Sequence, residues 1–219
     1  MKNSNIGEKI KLLTGSGMWH TQEVEGLPSV HLSDGPHGLR KQEEKERQNN
    51  VSLVSTCYPT ASALACSWDV TAAERLGRAV AKEAWNADVA VLLGPGINMK
   101  RSPLCGRNFE YFSEDPFLAG RLGAAYVSAA QGEDVAVSLK HFAANNQETN
   151  RQTANSQIDE RALREIYLSA FEYVVKTARP ATVMASYNRL NGYYACENRH
   201  LLTEILREEW GFDGVVISD

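Results

Sequence analysis

Short apolar runs alternate with helical patterns along nearly the whole chain, and this alternation is the strongest constraint on what it can fold into. The runs are SVHLSD (29–34), ASALACSW (61–68), VAVLLGP (89–95), VAVSLKHF (135–142), TVMASYN (182–188) and GVVISD (214–219), each bounded by turn residues. Most lack strict apolar/polar alternation, which suits strands buried on both faces of a parallel sheet. Between them lie helical patterns. One opens near Thr71, with Glu74 three residues on as a capping box. A second starts at Asp115-Pro116, an N-cap followed by proline at the first helical position. A third, DERALREIYLSAFEYVVKTA, follows from Asp159 and ends before Pro180. A fourth, NRHLLTEILREEW, is closed by Gly211. Such alternation predicts a parallel α/β architecture. With 219 residues, 43% of them hydrophobic, the chain has material for most of one barrel, a fold that takes about 250 residues. The expected class is therefore α/β: an incomplete TIM-type (β/α) barrel of mostly parallel strands, lacking its C-terminal portion. No internal repeat breaks the pattern.

Charge and composition remove several function classes. The formal net charge is −4 with no basic block, so nucleic acid is not expected as a partner. The four cysteines (Cys57, Cys66, Cys105, Cys196) show no CxxC pairing or metal-ligand spacing. They read as free thiols in a reducing compartment, with no metal site. MKNSNIGEKIKLLTG has no long apolar stretch. Neither a leader nor a membrane span is expected, and the expected location is cytoplasmic. The GPG at 94–96 follows a strand but does not complete GxGxxG. It reads as a tight turn, which disfavours a nucleotide-dependent oxidoreductase, and no cofactor is expected. The charge-rich KQEEKERQNN (41–50) reads as a solvated loop.

The polar residues cluster at strand ends. Asp34 closes the first run, Lys140 and His141 interrupt another near its end, Tyr187 and Asn188 close a third, and Asp219 closes the last. In an α/β barrel the C-terminal strand ends share one face, so these groups are expected to line one polar pocket. Carboxylates mixed with cationic donors suit a polyhydroxylated ligand, because sugar hydroxyls both donate and accept. A phosphate would favour glycine-rich backbone nests and exclude carboxylates. Among other candidates, His20, His31, His37 and His200 read as structural or surface groups. Trp19, Trp68, Trp85 and Trp210 read as core. Glu114 and Asp115 read as helix-cap residues, and Asp213 as a turn residue.

The stretches SDGPHGLR (33–40), GPGINMKRSPLCGRNFEYFSEDP (94–116), KHFAANNQETNR (140–151), VMASYNRLNG (183–192) and GFDGVVISD (211–219) resemble glycoside hydrolase family 3, in its β-glucosidase-like branch. The resemblance runs through nearly the whole chain in the family's order. It implies retaining hydrolysis of terminal non-reducing β-D-glucosyl residues from a β-glucoside or oligosaccharide, with Asp219 as the catalytic nucleophile. It also implies that Asp34, Arg107, Lys140, His141 and Arg151 bind sugar hydroxyls. Tyr187 would lie beside the nucleophile and Met184 would line the same wall. Arg40 ends the SDGP motif, and Glu110 could brace an arginine. Nearby cations are expected to keep the pKa of Asp219 low. The resemblance further implies that residues 1–219 are a partial N-terminal barrel domain. Its acid/base partner would lie in a C-terminal α/β sandwich domain absent from this chain, and its last strand would present an open apolar edge. The 219-residue chain by itself is then expected to be a poor glycosidase. A non-catalytic sugar-binding fragment or pseudoenzyme is the alternative. Choice among glucosidase, xylosidase and exo-glucanase activity stays open.

Overall fold

A computed structural model describes residues 6–35, 37–42 and 51–219. Its central feature is a five-stranded parallel sheet of β1 (Leu32–Asp34), β2 (Val91–Leu93), β3 (Ala136–Phe142), β5 (Thr182–Ala185) and β8 (Val215–Ser218), in that spatial order. Spatial order thus follows chain order, with each new strand added to the same side. This is the winding of a (β/α) barrel, here incomplete. A small second sheet of β4 (Asn155–Ser156), β6 (Arg189–Leu190) and β7 (Tyr193–Tyr194) ties together the loops that follow β3 and β5.

Helices fill the crossovers. After the short α1 (Ile6–Lys11) and α2 (Ala61–Ala65), α3 (Val70–Asn86) links β1 to β2, and α4 (Pro116–Gln131) links β2 to β3. Next come α5 (Glu160–Ala162), a π-type stretch (Leu163–Tyr167) and α6 (Ser169–Ala178), which link β3 to β5. A π-helical segment, His200–Glu209, links β5 to β8. The Asp115 carboxylate accepts from the backbone N of Phe117 at 2.9 Å, with Pro116 at the first helical position as expected. Asp159 likewise caps α5, and Gly211, at φ +74°, follows the π-helical segment. Helices α3 and α4 pack so closely that a Cβ on Gly77 would sit 2.5 Å from the carbonyl oxygen of Tyr126. The core between helices and sheet holds Leu92, Val137, Leu139 and Val183 against Val80, Leu122 and Val174, all fully buried. Phe142 packs edge-on against Phe171 and Trp210 at centroid distances of 5.3 and 5.7 Å.

Several expectations need correction. The run ASALACSW forms a helix, α2, capped by the Thr60 hydroxyl, which accepts from Ala63 N at 3.3 Å. A short apolar run carries no period that separates strand from buried helix, and the cap decides it. Helix α3 opens two residues before the expected box: Asp69 is the N-cap and accepts from Thr71 N at 2.8 Å. The expected continuous helix from Asp159 is interrupted, with Leu168 N reaching back five residues to Leu163 O. Trp210 is core, but Trp68 and Trp85 are 73% and 59% exposed. Residues 43–50 of the charge-rich loop lie outside the described residues, while Lys41 and Gln42 at its start bond to Ala87 O and Trp19 Nε1. Strand β8 pairs with β5 on one side, and Val215 remains 60% exposed.

Candidate active site

The parallel register brings the strand ends together. Asp34 pairs with Leu93 across β1 and β2, and Phe142 and Ser218 both pair with Ala185. Asp34, Lys140, His141 and Asp219 therefore share the C-terminal end of the sheet. Tyr187 lies two residues past β5, Arg107 in the loop after β2, and Arg151 in the loop after β3. A cavity of about 640 Å³ opens there, lined among others by Asp34, Arg40, Arg107, Glu110, Lys140, Arg151 and Tyr187.

Three ion-pair systems shape it. The Lys140 side chain is 3% exposed and its Nζ lies 3.8 Å from Oδ1 of Asp34. Arg107 binds Glu110 Oε1 through Nη2 at 2.6 Å, with Nε 4.0 Å from Glu148 Oε1 and Nη1 3.9 Å from Asp219 Oδ2. Burial opposes the charge of Arg107, yet the fields of Glu110 and Asp219 outweigh it and push its pKa up. Arg151 pairs with Glu148 Oε2 at 3.2 Å and lies over the Tyr187 ring at 4.5 Å. Glu148 thus spaces the two arginines, and Glu110 braces Arg107.

His141 is completely buried. Asn98 clamps its backbone, accepting from His141 N at 2.7 Å and donating to His141 O at 2.8 Å. Its Nδ1 lies 2.9 Å from the Tyr111 hydroxyl, and Nε2 lies 3.5 Å from Asp219 Oδ2. Burial, then the fields of Lys140, Arg107 and Arg151, hold its pKa well below 6.5, so it is neutral at physiological pH.

The Asp219 side chain is 14% exposed and accepts a hydrogen bond from the Tyr187 hydroxyl. Its acidity departs from expectation. Burial raises its pKa, and Tyr187, Arg107, Lys140 and Arg151 only partly offset that, so the net direction is up. The cations sit 3.9 Å away or farther through Arg107 Nη1, whereas desolvation acts on the whole carboxylate. Burial, and next the Asp219 charge, likewise raises the Tyr187 phenol.

Met184 lies on β5, three residues before Tyr187. It is 5% exposed and packs in an apolar cluster with Val91 and Leu93, bordered by Trp19, Leu32 and Ile217. Asn188 is buried and donates to Ala143 O and Arg189 O, so it serves the backbone. His37, expected to be structural or surface, lines the cavity edge-on to Phe109 at 5.8 Å. His200 is a surface group between Glu204 and Glu160. The residues that sequence reasoning passed over are Glu148, Asn98, Gly96 and Tyr111. Glu148 carried a signal, standing three residues before Arg151. A Cβ on Gly96 would lie 2.9 Å from Cδ1 and Cε1 of Tyr111, so glycine is needed there to admit that ring. No local pattern in the sequence announces such a contact.

Parallel βα units with a carboxylate-and-cation pocket at their strand C-termini define a class of α/β-barrel proteins with a polar ligand site. Residues 36–219 match the glycosyl hydrolase family 3 N terminal domain, and the chain belongs to that family. It is 53% identical over 223 residues to thermostable beta-glucosidase B of Acetivibrio thermocellus, covering 100% of this chain and 30% of the relative. It is 50% identical over 224 residues to an exo-alpha-(1->6)-L-arabinopyranosidase of Bifidobacterium longum, with the same two coverages. The solved structure of beta-glucosidase 3B from Thermotoga neapolitana in complex with glucose superposes with a TM-score of 0.93 at 42% identity. It is covered to 33%, and this chain to 100%. The chain thus spans about 30% of the length of these curated relatives.

Proposed function

We propose that the protein carrying this chain hydrolyses terminal non-reducing β-D-glucosyl residues with retention of configuration, and that Asp219 is its nucleophile. The observation that carries this reading is the setting of Asp219. Its carboxylate ends a parallel strand, accepts from Tyr187, and faces Arg107 and His141 at 3.9 and 3.5 Å. One Asp219 oxygen attacks the anomeric carbon as the bond from that carbon to the leaving oxygen breaks. A general acid protonates the leaving group. Water then hydrolyses the glycosyl ester and returns the carboxylate. Asp34, Arg40, Arg107, Lys140 and Arg151 supply mixed donors and acceptors for the sugar hydroxyls, and contacts that tighten in the transition state lower the barrier.

The acid/base is assigned to the remainder of the protein, in a C-terminal α/β sandwich domain. Supporting this, Asp34, Glu110 and Glu148 in the site each already face a cation. Glucose is the first choice of sugar, because the Acetivibrio relative is named a beta-glucosidase. The Bifidobacterium relative, at 50% identity, makes an α-L-arabinopyranoside the second. The test is turnover of aryl β-glucoside and aryl α-L-arabinopyranoside by the full-length protein, with and without Asp219→Ala. Loss of at least about a thousandfold in kcat is expected for the variant. Comparable turnover without the carboxylate would remove Asp219 from the role.

A further inference from the structure

Tyr111 is fully buried and has no role in the assignments above. Its hydroxyl lies 2.9 Å from Nδ1 of His141, and Asn145 Nδ2 donates to the same oxygen at 3.5 Å. The orientation of the Asn145 amide is set by a second bond, from Nδ2 to Glu148 Oε1 at 3.2 Å, because a carboxylate only accepts. The Tyr111 oxygen therefore accepts a hydrogen bond from Asn145, and its own hydroxyl proton points elsewhere. Among the described residues, the acceptor at hydrogen-bond distance from that hydroxyl is Nδ1 of His141. A neutral imidazole has one N–H and one lone pair, so a lone pair on Nδ1 places the proton on Nε2.

The opposite side of the ring leads to the same tautomer by a separate route. Nε2 faces Asp219 Oδ2 at 3.5 Å and Glu110 Oε1 at 3.8 Å. A lone pair there would confront two carboxylate oxygens, whereas an N–H is attracted to both. Nε2 is buried and, among the described residues, makes no hydrogen bond within geometric limits.

We propose that Tyr111 is a positioning residue: its hydroxyl holds His141 as the Nε2–H tautomer, so that His141 offers the site a donor and never an acceptor. The identity of the ligand rests on the glycosidase reading, but the tautomer does not. That donor is aimed at the carboxylates of Asp219 and Glu110, so the tautomer sets the sign of one contact of the Asp219 oxygen. Tyr111 would thus set the polarity that the ring turns toward Asp219 without touching that carboxylate.

The first test is ¹⁵N NMR of the full-length protein labelled at its histidine rings, with the His141 signals assigned by their loss in His141→Ala. The native protein is expected to show protonated Nε2 and bare Nδ1, and Tyr111→Phe a mixture or the reverse. A native Nδ1–H tautomer, or one unchanged in Tyr111→Phe, overturns the proposal whether or not the protein is a glycosidase. The second test is a double-mutant cycle on kcat/KM for an aryl β-glucoside. Tyr111→Phe is expected to cost roughly tenfold, the scale of one lost hydrogen bond, and nothing further in a His141→Ala background. An equal cost in both backgrounds makes Tyr111 a packing residue only. Inactivity of Asp219→Ala alongside an unaffected Tyr111→Phe would sink this inference and leave the glycosidase reading intact.

Discussion

Arg107 and Glu110 meet at 2.6 Å, three residues apart, and the pairing leaves the other end of the guanidinium, Nη1, facing Asp219 Oδ2 at 3.9 Å. The Glu110 side chain is 4% exposed, so the two charges compensate each other in a mostly dry setting. Replacing Glu110 by Ala removes the nearest of the three carboxylates around the mostly buried Arg107. The expected cost is roughly 3 kcal/mol of stability, the low end for breaking a buried pair, and kcat/KM should fall as Arg107 loses its aim. Urea unfolding and kinetics of the full-length variant check both. An unchanged unfolding midpoint would show that Arg107 does not need this partner.

Asp219 carries a stability cost whose sign follows from its acidity. Its folded pKa is raised above the ordinary 3.8 by burial. The stability it contributes is therefore fully present below 3.8 and is lost as pH rises through the folded value. At neutral pH the native protein carries this cost and Asp219→Asn does not. Asp219→Asn should melt higher than native at pH 7, with the gain shrinking toward pH 4. A variant less stable than native at pH 7 contradicts the raised pKa.

Tyr187 allows the ring and the hydroxyl to be separated. Tyr187→Phe keeps a ring beneath Arg151, now 4.5 Å away, and removes the hydrogen bond that lowers the pKa of Asp219. The Asp219 pKa should rise further. Since the proposed nucleophile must be ionised, the acid limb of the kcat/KM profile should move to higher pH. A limb that stays put or moves down would mean that another group sets it.

Gly96→Ala should act through Tyr111. The added methyl would lie 2.9 Å from two atoms of a fully buried ring. Overpacking of this kind costs about 1–3 kcal/mol, and a shifted ring pulls its hydroxyl away from His141. A lower melting temperature and a reduced kcat/KM are expected together. Full activity with native stability would show that the loop can accommodate the methyl.

Much of this was legible in the sequence. The runs ending at Asp34, Phe142 and Asp219 are strands, and Asp115-Pro116 opens a helix, because each carries local chemistry: an apolar stretch of strand length or a cap. The run at 61–68 reads like a strand because its apolar residues carry no period, and only the Thr60 cap and its neighbours decide for helix. Trp68 and Trp85 show the converse. A large apolar side chain says nothing about which side of its own helix or turn will face solvent. Met184, expected by resemblance beside the nucleophile, packs with Val91 and Leu93, contacts that its place in the sequence does not announce.

By itself the sequence determined the winding order of strands and helices, the family, and which polar residues would stand at strand ends. These depend on spacing and residue type along the chain. Only the tertiary structure decided how those residues act on one another. It decided that burial outweighs the cations at Asp219, that Glu148 spaces Arg107 from Arg151, and that the hydroxyl of Tyr111, thirty residues before His141, meets its ring at 2.9 Å. Desolvation and hydrogen-bond direction depend on what surrounds a group from every side, and those neighbours come from distant parts of the chain.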